Sequence, residues 1–168
     1  FALWGSISAF MIGIDYLFIS PENYEWNFKY EQFLILFLIV ITLLPIQTSA
    51  EEYLFRGYLM QGIGIASGNR WLPLILTSIA FGLMHYANPD VAKFGNVVFV
   101  FYIGSGLFAG IMTLMDEGIE LALGWHAANN MVAALLVTAN WTALQTHSVL
   151  KDISYPETRP LGEVLVPV

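Results

Sequence analysis

The chain has 168 residues, of which 57% are hydrophobic and only 11% are charged. A soluble domain carries roughly 25% charged residues, so this composition excludes an ordinary soluble fold. The formal charge of −7 comes largely from acids in loops and in the tail, which argues against nucleic acid as a partner. Cysteine is absent, and this excludes disulfides and thiolate metal sites.

Apolar runs near the ~20 residues that a hydrocarbon core of ~30 Å demands recur along the chain. We therefore predict an all-α fold, a polytopic transmembrane helical bundle with about six membrane segments, and a multi-pass integral protein of the lipid bilayer. The predicted segments are residues 1–19, 32–45, 49–66, 71–87, 94–115 and 119–139. Pro45 lacks a backbone donor, so we expect the second and third segments to be separate or joined across a kink.

The segments are joined by short connections, which predict antiparallel neighbours. Gly106 and Gly110 form a GxxxG pattern, typical of closely packed apolar helices. We expect a transmembrane domain over residues 1–144, with its motif core at about 45–140, and a polar, solvent-side tail over 145–168. The first residue is Phe1, inside an apolar run, so we expect the natural start and possible further helices upstream.

The first polar motif inside an apolar run is EEYLFR at residues 51–56. Ser49 and Glu52 match a helix-capping box, which would explain one acid but not two acids and an arginine. Glu52 and Arg56 stand at i and i+4, so we predict that they pair. Helical neighbours point about 100° apart, so Glu51 and Glu52 are not expected to face one site. Glu51 is then the candidate general base.

Two further motifs are FGLMH at 81–85 and HAANN at 126–130. His126 and Asn130 share one helix face, and two aligned donors suit an oxyanion. Interhelical hydrogen bonding is the simpler explanation, and a lone histidine such as His85 is often only a hydrogen-bonded residue. Charge at membrane depth is expensive, which favours a functional role. No role is assigned to Asp15, Tyr86, Asn96 or His147.

The order E-E-x-x-x-R, F-x-x-x-H and H-x-x-x-N, each in its own apolar segment, resembles the CPBP family of CaaX-protease and bacteriocin-processing (Abi) membrane proteins. The resemblance implies an intramembrane endopeptidase, a glutamic or metallo-enzyme, that cuts a lipidated or otherwise membrane-anchored substrate near its carboxyl end. Carried over, Glu51 would activate water and His85 would orient the water or the carbonyl. His126 and Asn130 would form the oxyanion site, with Glu52 and Arg56 in support. The natural substrate is left open.

A zinc ion is the alternative to a metal-free mechanism, with Glu51, His85 and His126 as its ligands. The chain has no HExxH motif. If Glu51 bound zinc, no second carboxylate would remain as base, so we expect no cofactor.

Two other functions use the same residues. A non-catalytic transporter or scaffold would use the buried Glu and His side chains as a proton relay or partner site. A zinc hydrolase would act on a lipid or small molecule instead of a peptide. Asn130 favours the peptidase over the relay, because an amide cannot titrate.

Overall fold

The computed structural model describes residues 1–154, which are mostly helical. Helix α1 (Ala2–Ile14) continues as a π-helical turn (Asp15–Ile19), and α2 (Tyr30–Glu52) continues through a π-helical segment (Tyr53–Leu59) into α3 (Met60–Ser67). The later helices are α4 (Trp71–Met84), α5 (Pro89–Phe94), α6 (Val98–Asp116) and α7 (Glu120–Leu136). The strands are β1 (Tyr24–Trp26), β2 (Val137–Ala139) and β3 (Leu150–Asp152).

The predicted count of about six segments differs from the structure, where residues 1–154 form five continuous helical runs. The predicted segments 32–45 and 49–66 are one run, Tyr30–Ser67. Pro45 lies inside α2 and does not end it. An apolar environment offers no water to free backbone groups, which favours continuing the helix past a proline. Since no helix begins at Ser49, the capping-box explanation of Glu52 is wrong.

Within residues 1–154, three helical runs are long and apolar enough to cross a membrane, namely Ala2–Ile19, Tyr30–Ser67 and Pro89–Asp116. Helix α4 is apolar but has only 14 residues. Large apolar side chains point outward from these helices; Leu3 is 78% and Ile65 is 86% exposed. Such a surface is stable against lipid rather than water, so the helices indicate an integral membrane protein.

The chain forms two compact units, of which one comprises Phe1–Ile46 and the chain from Ala127 onward. In this unit β3 is the central strand, antiparallel to β1 and parallel to β2. Ile12, Tyr24, Val137 and Leu150 form its apolar core. The Tyr24 hydroxyl donates to the Asp15 carboxylate, which explains an acid that the sequence left without a role.

Two predictions for this unit are corrected. The last helix was expected to reach residue 139, but it ends at Leu136 and Val137–Ala139 is a buried strand. Valine and threonine favour strands over helices, which fits the change. The chain from 145 was expected to be a solvent-side tail, but Leu150–Asp152 pairs with both other strands. Residues 155–168 of that tail lie outside the described part.

The other unit, Gln47–His126, is built around the packing of α4 against α6. A Cβ atom on Gly106 would lie 3.0 Å from both the Cα and the carbonyl oxygen of Ser78, and one on Gly110 would lie 2.5 Å from Leu74 Cδ1. The predicted close packing at the GxxxG pattern is therefore confirmed. On α4, a Cβ on Gly82 would lie 2.4 Å from Ile103 Cγ1, so only glycine fits there as well.

Candidate active site

The two acids of the EEYLFR motif end helix α2, directly before the π-helical segment Tyr53–Leu59. Such segments inside α-helices are frequent at functional sites. Glu52 is fully buried and Arg56 is 1% exposed. Arg56 Nη1 donates to Glu52 Oε1 at 2.9 Å, so the predicted pairing is present.

Arg56 also connects the motif to the two packed helices. Its Nη2 donates to the carbonyl oxygen of Gly106 at 2.9 Å, and its guanidinium lies 4.6 Å from the centre of the Phe81 ring. A cation above an aromatic ring is stabilised by the ring quadrupole. Buried charge is tolerable only when it is paired and hydrogen-bonded, and these contacts provide both for Arg56.

His126 is buried, and both glutamates face its ring. Its Nδ1 lies 2.7 Å from Glu52 Oε1 and its Nε2 lies 3.8 Å from Glu51 Oε2. The expectation that the two acids cannot face one site is therefore wrong. The physical reason is that the two nitrogens of one imidazole point in different directions, so two diverging side chains can both reach it.

Glu51 differs from Glu52 in what its carboxylate contacts. Its Oε1 accepts a hydrogen bond from Gln47 Nε2, one helical turn earlier. Its Oε2 is buried and has no hydrogen-bond partner within residues 1–154, as is also true of Glu52 Oε2, but the Glu51 side chain is 18% exposed whereas that of Glu52 is fully buried. A buried carboxylate oxygen without a donor is costly, which is typical of a group that waits for a ligand or a reactant. Gln47 was not singled out from sequence, although its i, i+4 spacing to Glu51 is a usable signal.

His85 follows α4 directly and is held by its own helix. Its Nδ1 lies 2.8 Å from the carbonyl oxygen of Phe81. A carbonyl only accepts, so Nδ1 carries the hydrogen and Nε2 keeps a lone pair in the neutral ring. The Phe81 ring centre lies 4.9 Å from that of His85 and 5.8 Å from that of His126. The Phe81 ring thus contacts both imidazoles, and the second of these lies 3.8 Å from Glu51 Oε2.

Asn130 lies one turn after His126 on α7 and is half-buried. It belongs to the unit that starts again at Ala127, whereas Glu51, His85 and His126 belong to the other. Its part in an oxyanion site stays a prediction.

The zinc alternative can be compared with this geometry. Within residues 1–154, no three His, Asp or Glu side chains are arranged so that they could hold a metal ion. His126 Nδ1 faces Glu52 and His85 Nδ1 faces a carbonyl, an arrangement that leaves both Nε2 atoms open and is also common for metal-binding histidines. The metal-free mechanism therefore stays a prediction, and the chemistry proposed below uses no metal.

The fold and the site define a helical membrane protein in which an imidazole, His126, lies between two glutamates, one half-buried and one fully buried. A family model described as type II CAAX prenyl endopeptidase Rce1-like matches residues 30–132. The chain belongs to this Rce1-like family, and the resemblance read from its three motifs is confirmed.

Curated relatives agree with this assignment but add no activity. The chain is 38% identical over 129 residues to the uncharacterized protein YyaK of Bacillus subtilis, covering 74% of this chain and 42% of YyaK. It is 25% identical over 124 residues to an uncharacterized protein of Mycoplasma capricolum, covering 73% of this chain and 33% of that protein. The chain thus spans less than half the length of both relatives. No solved structure matches it.

Proposed function

We propose that this chain forms the catalytic centre of an intramembrane endopeptidase that cleaves a membrane-anchored substrate near its C-terminus, as in CaaX processing. Membership of the Rce1-like family supports the reaction class. The observation that carries the proposal is Glu51 Oε2, a buried carboxylate oxygen without a hydrogen-bond partner within residues 1–154, 3.8 Å from His126 Nε2.

Glu51 is the proposed general base. Its free oxygen takes a proton from a water molecule, and the water oxygen attacks the scissile carbonyl carbon. Gln47 holds the other carboxylate oxygen, so the free one keeps its direction. When the tetrahedral intermediate collapses, the C–N bond breaks and the proton on Glu51 passes to the leaving amine. Glu51 thus acts first as the general base and then as the general acid.

His126 is the proposed oxyanion donor, together with the amide of Asn130. In this role His126 uses both of its ring nitrogens as donors. Its Nδ1–H then donates to Glu52 at 2.7 Å, and its Nε2–H is available to the oxyanion. Glu52 and Arg56 orient this ring and take no part in bond making.

His85 is the proposed water-orienting residue. Because its Nδ1–H is held by the Phe81 carbonyl, its Nε2 lone pair can accept a hydrogen bond from the attacking water. Two acceptors, Glu51 and His85, would then fix both hydrogens of one water. The proposal needs no cofactor, and its partners are the lipid bilayer and a membrane-anchored or lipidated peptide.

A proton relay is the second candidate. The order Glu51–His126–Glu52 places an imidazole between a half-buried and a fully buried carboxylate, which also suits proton transfer through a bundle. In that case the protein would move protons or a solute and would cleave nothing.

One experiment separates the two functions. Purified protein in lipid nanodiscs is incubated with a lipidated C-terminal peptide, and products are identified by mass spectrometry. The same protein in sealed liposomes is tested for pH-driven flux. Cleavage near the peptide's C-terminus that disappears in Glu51→Gln and persists in Glu31→Gln supports the peptidase; Glu31 is an exposed acid on the same helix. Absence of cleavage, with flux lost in Glu51→Gln, contradicts it and supports the relay.

A further inference from the structure

A polar cluster outside the three motifs lies against His85. The Tyr102 ring on α6 stacks on the imidazole with 4.2 Å between ring centres and 18° between planes. Phe81 is the second ring beside it, at 4.9 Å and 52°. The single hydrogen bond of His85 Nδ1 to the Phe81 carbonyl limits ring rotation, and the parallel stack defines the plane of the ring.

The Tyr102 ring is itself held in place. Tyr102 is 9% exposed, its hydroxyl donates to the Asp90 carboxylate, and it accepts from Asn88 Nδ2 at 2.9 Å. Both partners lie just after His85 in the chain. The Asn88 backbone N–H also donates to the His85 carbonyl at 3.0 Å. Tyr102 is thus tied to the segment that carries the imidazole it stacks on.

We propose that Tyr102, held by Asp90 and Asn88, is a positioning residue that sets the ring plane of His85 for orienting the attacking water; this inference rests on the proposed function. The torsion that turns an imidazole about its bond to Cβ has broad minima, so one hydrogen bond leaves the ring some freedom. A water-orienting nitrogen that turns out of line no longer holds the water in a near-attack position.

Tyr102 also packs with Val91 and Val98, so loss of its ring will affect packing as well. A purely structural role would lower stability without a specific loss of kcat at nearly constant KM. The two roles therefore differ in measurable ways.

The kinetic test compares Tyr102→Leu and Tyr102→Phe with Tyr86→Leu on a lipidated C-terminal peptide. Tyr86 is the matched control, because its ring also stacks on a ring of α6, Phe99, with 13° between planes, but is 71% exposed. We expect Tyr102→Leu to lower kcat by ~10²-fold with KM nearly unchanged, as for a small misplacement of a reacting group. Tyr102→Phe keeps the stack, loses the tether, and should fall between Tyr102→Leu and wild type.

A spectroscopic readout tests the same idea without turnover. The chain has three histidines, so ¹³C,¹⁵N-histidine labelling with His85→Gln for assignment isolates the His85 signals. The ring current of Tyr102 should shift them, and the shift should disappear in Tyr102→Leu but not in Tyr86→Leu. If the wild type is active, the inference is overturned when Tyr102→Leu leaves kcat unchanged or leaves the His85 signals unchanged. Neither result affects the proposed function. A wild type that cleaves no lipidated peptide overturns the proposed function and this inference with it.

Discussion

The two sides of His126 are built in opposite ways. On the Glu52 side the charge is paired: Glu52 Oε1 lies 2.9 Å from Arg56 Nη1 and 2.7 Å from His126 Nδ1, and Arg56 reaches the Gly106 carbonyl. On the Glu51 side the carboxylate lies 3.8 Å from the ring, and its hydrogen-bond donor is the neutral amide of Gln47. Both glutamates keep a buried Oε2 without a donor within residues 1–154, so the difference between them is the cationic partner of Glu52.

The difference separates stability from chemistry. A buried ion pair that loses one partner leaves an uncompensated charge, so the Glu52 side should respond to mutation mainly with loss of stability. Glu51 has no ion pair at hydrogen-bond distance within residues 1–154, so removing its charge should leave the fold intact. Each prediction below tests one part of this contrast.

The largest effect on activity is expected at Glu51. Glu51→Gln keeps size and hydrogen bonding but removes the base, so turnover of a lipidated peptide should fall by ~10²–10⁴. Thermal unfolding in detergent should occur at or above the wild-type temperature. Full activity in this variant would end the assignment of Glu51 as base.

A smaller loss of activity is expected from Asn130→Ala. If the amide donates to the oxyanion, kcat should fall by about 10²–10³, with less effect on substrate binding. Asn129→Ala is the matched control, because the neighbouring side chain points about 100° away. Equal losses in both variants would contradict a specific donor role and indicate general helix packing.

Variants of the Glu52–Arg56 ion pair should lose stability. Arg56→Met leaves the buried Glu52 carboxylate without its cation and should lower the free energy of unfolding by ~3–5 kcal/mol, measured by chemical denaturation in detergent. The double variant with Glu52→Gln should regain part of this loss but little activity, since an amide oxygen accepts from the His126 Nδ1–H without the negative charge of the carboxylate. A double variant no more stable than the single one would show that the pair is not a unit.

The helix contact that receives Arg56 gives a smaller effect. Gly106→Ala adds a Cβ 3.0 Å from the Ser78 backbone, whereas Gly104→Ala on the same helix adds one with nothing within 4 Å. We expect Gly106→Ala to cost about 1–3 kcal/mol of stability, as overpacking does, and Gly104→Ala to cost none. Equal unfolding temperatures for the two would mean that α4 and α6 can separate freely.

No effect is expected from a strong chelator. The proposed mechanism relies on Glu51 alone as base, so activity after prolonged dialysis against chelator should equal that of the untreated protein. Activity lost to chelator and restored by zinc would overturn the metal-free mechanism while leaving the peptidase assignment in place.

Much of the site was predictable because charge inside an apolar run is expensive and therefore conspicuous. This argument found Glu51, Glu52, Arg56, His85 and His126, and the i, i+4 rule found the ion pair. The argument wrongly predicted that Glu51 and Glu52 do not face one site, because a helical wheel shows one helix alone and cannot show that an imidazole reaches both acids. Gln47 carried a local signal, but Tyr102 carried none, since its stacking on His85 depends on how α4 and α6 pack.

The fold was less predictable at its ends than in its middle. Apolar runs predict helices well, and the helical core around α4 and α6 follows from them. Whether 32–45 and 49–66 are one helix depends on how the structure tolerates Pro45, which propensity alone does not decide. The sheet was missed because β3 pairs with residues far away in the chain, and a strand of three residues shows no readable alternation.

The π-helical segment Tyr53–Leu59 has a consequence for how this site can be lost. A π turn holds one more residue than an α turn, so removing one residue there would leave a regular helix with ordinary backbone hydrogen bonds. The same deletion would turn Glu51 and Glu52 by about 100° against the helix that follows. We therefore expect a one-residue deletion in this segment to give a folded protein that has lost the arrangement of Glu51 and Glu52. In related proteins, the presence of the π-helical segment is a feature to check before activity is assigned.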